Sequence, residues 1–71
     1  MRRMEGDMYI NRIKIIRDEK GITLEKLAKL SGVSAGYLCH LERGSRKNPS
    51  IEVMNSISDA LGKTITEVFF E

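Results

Sequence analysis

Glycines at positions 21, 32, 44 and 62 divide this chain into short pieces, and after each of them a Ser or Thr opens the next one. Glycine just past an apolar-periodic stretch and Ser or Thr just before one are the stop and start signals of helices. The spacing predicts a first helix from about Met8 to Lys20, with Tyr9, Ile13, Ile16 and Arg17 on one face and Gly21 as its left-handed stop. Thr23 caps a second helix, Leu24 to about Leu30, that turns Leu24, Leu27 and Ala28 inward. Ser34 caps a third, Ala35 to Arg43, whose apolar positions are Leu38 and Leu41 with Tyr37 beside them.

Residues 45–49 read as an exposed loop, in which Pro49 biases Asn48 away from helix. Ser50 then caps a fourth helix that runs to Leu61 and is expected to bury Ile51, Met54, Ile57 and Leu61. Thr64 and Glu67 form a T-x-x-E capping box for a short fifth helix bearing Ile65, Val68 and Phe69. The β-branched residues lie at helical spacing, and no period-2 run reaches five residues. The fold class is all-α, a five-helix bundle.

A chain of 71 residues makes one domain, residues 1–71, with 1–7 expected to be flexible. Its core is small, which makes self-association a natural supplement to stability. The single cysteine, Cys39, rules out an intramolecular disulfide and fits a reducing compartment. Arg2 and Arg3 resemble the charged start of a signal peptide, but Glu5, Asp7, Asn11 and Arg12 break any apolar run. A soluble, cytoplasmic protein with no membrane partner is expected.

Charge is distributed unevenly. Residues 1–49 hold eleven of the twelve Lys and Arg against six of the ten acids, a net of +5. Residues 50–71 hold Lys63 against Glu52, Asp59, Glu67 and Glu71, a net of −3. A basic body with an acidic end fits an electrostatic footprint for nucleic acid on one face, and it equally fits a solvated mixed surface.

The informative stretch is Thr23 to Gly44, T-L-E-K-L-A-K-L-S-G-V-S-A-G-Y-L-C-H-L-E-R-G. Two short helices are joined by the tight turn Ser31-Gly32-Val33-Ser34. Ala28 lets the second helix cross closely, Gly32 takes positive φ without steric cost, and Val33 plugs the corner. Such a unit projects one helix from a compact body, able to enter a groove about 12 Å wide.

These residues resemble the Cro/C1-type helix-turn-helix family, the lambda-repressor-like DNA-binding domains of phage repressors and many bacterial regulators. The resemblance runs from about Ile10 to Phe70, with the helix-turn-helix at 23–43. It includes I-x-x-I-R before Gly21, L-A-x-x-x-G-V-S, L-x-x-L-E-R-G, N-P-S, and A-L-G-x-T-I-x-E-V-F. The Y-L-x-x-L-E-R-G run followed by N-P-S-I is closest to the biofilm-repressor branch. Several motifs in register make the match specific.

The resemblance implies a transcriptional regulator that binds a pseudo-palindromic operator in double-stranded DNA as a homodimer, most often to repress. It places Ser34, Ala35, Gly36, Tyr37, Cys39, His40 and Arg43 on the DNA-facing side of the third helix. The family often carries Gln, Lys, Asn or Arg where this chain has Ala35, Gly36 and His40. His40 and Arg43 are therefore expected to supply the polar base contacts, with DNA shape and bound water adding specificity. Gly36 has two readings, a tight backbone approach to DNA or a tolerated small residue.

Phosphate contacts are expected from Arg43, Arg46, Lys47 and Asn48, and from the amide end of the second helix near Thr23 and Leu24. Many relatives carry Gln where this chain has Leu24, whose side chain cannot brace a phosphate. The matched positions of Arg17 and Glu42 pair across the first and third helices in the family, implying a structural ion pair. Ile65 and Phe70 are candidates for a dimer contact, the alternative being loose terminal packing.

Cys39 and His40 are adjacent, but neighbours on a helix diverge and no further Cys or His exists, so neither a metal nor a cofactor is expected. Cys39 reads as an inert thiol, with oxidation at a groove-facing surface as the other reading. An enzyme fails on inventory: no orienting carboxylate stands at a suggestive spacing from His40 and no phosphate loop is present. Without a sensor domain, control would come from concentration, proteolysis, oxidation or a protein antagonist. A protein-interaction module of the same fold, an antitoxin or antagonist subunit, is the alternative function.

Overall fold

Four of the five helices in the computed structural model begin where a hydroxyl oxygen accepts a backbone N–H three residues on. The structure describes residues 11–44 and 49–70. The helices are α1 (Ile13–Lys20), α2 (Leu24–Ser31), α3 (Ala35–Arg43), α4 (Ile51–Leu61) and α5 (Ile65–Phe69), with no strand among the described residues. Thr23 accepts from the Lys26 N–H at 3.0 Å, Ser34 from Tyr37 at 3.1 Å and Ser50 from Val53 at 3.2 Å. Thr64 and Glu67 bond reciprocally, at 3.1 and 2.9 Å, as the T-x-x-E spacing predicts. The bond that the carboxylate accepts from the Thr64 N–H, and after it hydrogen bonding with the Thr64 side chain, hold the Glu67 carboxyl below its ordinary pKa. Each cap satisfies a donor that the first helical turn would otherwise leave open.

Helix α1 differs from expectation. It starts at Ile13 rather than near Met8, because Asn11 and Arg12 spend their polar groups elsewhere. The Asn11 Oδ1 accepts from the Ile13 N–H at 3.1 Å, and the Arg12 N–H donates to the Val68 carbonyl of α5 at 2.7 Å. Tyr9, expected on this helix, and the segment 1–7 lie outside the described residues.

Ile13, Ile16, Leu27, Leu38, Leu41, Ile57, Leu61 and Val68 form one buried cluster contributed by all five helices. Leu24, Ala28, Val33, Tyr37 and Phe69 pack against it half-buried. Helix α2 lies against α3 and α4, α4 against α5, and α5 against α1. Ile51 was expected in this core and is instead 61% exposed. It is the first residue of α4, and because Cα–Cβ bonds tilt toward a helix N-terminus its side chain leans out beyond the helix end. The buried stripe of α4 is Met54, Ile57, Ser58 and Leu61.

Ser58 brings a hydroxyl into that stripe, and its Oγ has no hydrogen-bond partner among the described residues. A buried hydroxyl without a partner carries its desolvation cost uncompensated. Ser58→Ala is expected to raise stability by about 1 kcal/mol, read as a higher urea midpoint at unchanged slope. A lower midpoint would show that the hydroxyl is satisfied in solution.

Candidate nucleic-acid interface

The corner between α2 and α3 is built from local bonds. Gly32 sits at φ 76° and its N–H closes α2 on the Ala28 carbonyl at 2.9 Å. A side chain at that φ is strained, so glycine is required here by the backbone rather than by space, since nothing lies within 4 Å of a Cβ built on it. The Ser31 Oγ accepts from the Val33 N–H at 3.2 Å and steadies the turn. Val33 packs on the core, and Ser34 then opens α3.

Helix α3 is anchored by Leu38 and Leu41, both fully buried. Residues at i, i+4 and i+7 share a helix face, and on α3 those are Gly36, His40 and Arg43, all exposed and opposite the anchoring pair. Ser34 is exposed at the near end of the same helix. Ala35 and Cys39 are half-buried on its flank, and Tyr37 is half-buried against the core. The structure thus brings Ser34, Gly36, His40 and Arg43 together as the open surface of α3.

Thr23 is exposed at the start of α2, with its Oγ engaged by the Lys26 N–H. The Leu24 side chain is turned into the core, so this residue offers a partner only its backbone N–H. First-turn N–H groups have no intrahelical acceptor and carry the positive end of the helix dipole. Arg46, Lys47 and Asn48 lie outside the described residues.

Behind α3, Arg17 and Glu42 meet. The Arg17 Nε donates to Glu42 Oε2 at 2.9 Å and its Nη2 to Oε1 at 3.3 Å. Its Nη1 donates to the Ile22 carbonyl at 2.9 Å, so one guanidinium ties α1, the α1–α2 turn and α3 together. The hydrogen bonds that Arg17 donates to Glu42 raise the Arg17 pKa above its ordinary value, outweighing desolvation.

A second tie was missed from the sequence. The Asn11 Nδ2 donates to the Leu41 carbonyl in the last turn of α3 at 2.9 Å. An Asn two residues before a buried Ile is a readable cap signal. Its partner thirty positions away has no local signature.

A Cβ built on Gly36 would meet nothing within 4 Å. The fold itself therefore does not call for glycine there. Gly36→Ala is expected to stabilise the domain by about 0.8–1 kcal/mol through helix propensity, measured by urea titration. A simultaneous loss of DNA affinity would show that a partner's approach is what the missing Cβ serves.

Residues 13–68 match the helix-turn-helix family. The chain belongs to that family. SlrR, a helix-turn-helix transcriptional regulator of Bacillus subtilis, is 40% identical over 57 residues, 80% of this chain and 38% of SlrR. SinR of the same organism is 41% identical over 58 residues, 82% of this chain and 52% of SinR. The chain therefore spans about half the length, or less, of these two regulators.

Among solved structures, SinR in complex with DNA superposes with a TM-score of 0.73 at 41% identity, covering 76% of this chain and 86% of that one. SinR has also been solved in complex with SinI protein. The restriction-modification controller protein C.AhdI of Aeromonas hydrophila gives a TM-score of 0.74 at 36% identity, covering 79% of this chain and 83% of that one. The all-α, five-helix expectation and the resemblance to helix-turn-helix regulators both hold.

Proposed function

We propose that this protein is a sequence-specific DNA-binding transcriptional regulator, a repressor that binds a pseudo-palindromic operator as a homodimer. The observation that carries the proposal is the exposed Gly36–His40–Arg43 face of α3, set opposite Leu38 and Leu41 on a helix-turn-helix. A helix anchored on one side and open on the other can lie in the major groove. His40 and Arg43 read base edges there, and Ser34 and Gly36 lie against the duplex near its start. Ala35 and Cys39 form one flank of the contact, and Tyr37, packed on the core, borders it on the other side.

Phosphates are met by Arg43, by Arg46, Lys47 and Asn48, and by the α2 amide end at Thr23 and Leu24. The two relatives named as regulators and the DNA-bound SinR structure support this reading. Phe70, 65% exposed at the end of α5, and Ile65, half-buried on the same helix, serve the dimer contact. No helix among the described residues is long and apolar enough to cross a membrane. No group of three His, Cys, Asp or Glu side chains among them could hold a metal ion. We propose action inside the cell, without cofactor or catalysis.

One observation favours a second reading. Ala35 is half-buried and Gly36 has no side chain, so neither position offers a polar side chain to a base edge. A protein-interaction module of this fold would tolerate that, and the SinR–SinI complex supports a second protein as partner, of which an antagonist is one kind.

Selection of binding sites from a random duplex pool, followed by titration of the winner and a scrambled duplex at several salt concentrations, tests both. A palindromic winner bound at least about 10³-fold tighter than scrambled DNA is expected. Equal, weak, salt-labile binding to both would leave only the phosphate contribution and favour the interaction module.

A further inference from the structure

Asn11 is one of two buried polar residues among the described residues, and its side chain reaches the reading helix. Its amide can sit only one way round. The NH2 must face the Leu41 carbonyl, which accepts, and the oxygen must face the Ile13 N–H, which donates. One side chain therefore accepts the first N–H of α1 and takes up a carbonyl in the final turn of α3. That turn also carries His40 and Arg43, the polar groups of the exposed face.

The tie matters because of how α3 is held. Leu38 and Leu41 anchor it to the core, and its main helical neighbour is α2. Apolar contacts fix depth but leave rotation and tilt soft, since they carry little direction. Hydrogen bonds do carry direction. Two directional ties reach the last turn: Arg17 in α1 to Glu42, and Asn11, just before α1, to the Leu41 carbonyl. They act on consecutive residues from two separate points, one before α1 and one in its last turn, so together they resist rotation where either alone would act as a pivot.

We infer that Asn11 is a positioning residue for sequence reading, setting the angle at which the His40–Arg43 end of α3 meets the bases. The inference rests on the DNA-reading function proposed above. A reading helix held loosely still finds phosphates through flexible cationic side chains, but bidentate base contacts need the helix within a fraction of an ångström. Asn11 then governs discrimination between sequences more than affinity for DNA as such.

Two substitutions separate this role from capping and from stability. Asn11→Asp keeps the acceptor for the Ile13 N–H and cannot donate to Leu41. Asn11→Ser keeps a capping oxygen, is too short to reach Leu41, and adds no charge. The full chain and each variant are titrated with the selected operator and a scrambled duplex, at a temperature where melting curves show each one folded. Partial unfolding lowers both affinities by the same factor and leaves their ratio alone.

The expected result is a fall of about tenfold in the operator-to-scrambled ratio for both variants, with affinity and salt slope on scrambled DNA unchanged. An unchanged ratio in both variants, or in Ser alone while Asp loses it through its added charge, overturns the role assigned to Asn11. A wild-type ratio near one removes the DNA-reading function itself, which is a distinct failure visible before any variant is measured.

Discussion

Arg17→Ala is expected to cost this domain about 3–5 kcal/mol. The Arg17 and Glu42 side chains are only 13% and 9% exposed, and two parallel bonds join them. Truncating Arg17 strands the Glu42 carboxylate in a site that water reaches poorly, and it removes the donor to the Ile22 carbonyl as well. Small domains carry roughly 0.05–0.15 kcal/mol of stability per residue, so the loss is a large share of the whole.

A drop in Tm of more than about 10 °C follows from that scale, measured by circular dichroism. The double substitution Arg17→Met with Glu42→Leu should recover much of it, because the stranded charge rather than the missing bond dominates the loss. The raised Arg17 pKa means its contribution is complete below the ordinary arginine value and is lost only as pH climbs through the folded one. Titration of Arg17 therefore plays no part in ordinary buffers. A melt within about 2 °C of wild type would mean that solvent screens the pair.

Arg43→Ala should lower operator affinity by about 10- to 100-fold while leaving the fold intact. Arg43 is exposed in the last turn of α3, on the face shared with Gly36 and His40, and makes no hydrogen bond or ion pair among the described residues. A surface residue of this kind shifts stability by about 0.5 kcal/mol or less. A bidentate guanidinium–guanine contact is worth about 1–3 kcal/mol of discrimination.

Titration against operator and scrambled duplexes separates its two possible duties. If Arg43 reads a base, the ratio of the two affinities falls. If it holds a phosphate, both affinities fall alike and the salt slope drops by about 1. Unchanged binding to both would take the end of α3 out of the interface altogether.

Much of this architecture was legible because its signals are local. A cap hydroxyl reaches three residues, a left-handed glycine acts on its own turn, and an i, i+4, i+7 stripe needs only helical geometry. The bounds of α3 and α4, the start of α5 and the Thr64–Glu67 box were all readable on that basis. So was the exposed Gly36–His40–Arg43 face once Leu38 and Leu41 were assigned to the core. Arg17 and Glu42 are twenty-five positions apart, and their pairing was available only through resemblance to a family.

The departures share one cause. Periodicity alone carries α1 back to Met8, whereas the helix starts at Ile13, where the Asn11 Oδ1 accepts the Ile13 N–H and the Arg12 N–H is given to the Val68 carbonyl. Ile51 fits the apolar stripe of α4 by spacing, yet no helix among the described residues covers the position where α4 begins.

The sequence by itself determined that this chain makes short capped helices, which faces of them are apolar, and that two of them form a helix-turn-helix. Those properties depend on contacts within a few residues. The tertiary structure alone decided how the reading helix is held: which carbonyl Asn11 takes up, how deeply Arg17 and Glu42 are shielded, and which apolar residues stay in water. Burial and long-range hydrogen bonds are properties of neighbours brought together by folding, and no local pattern encodes them.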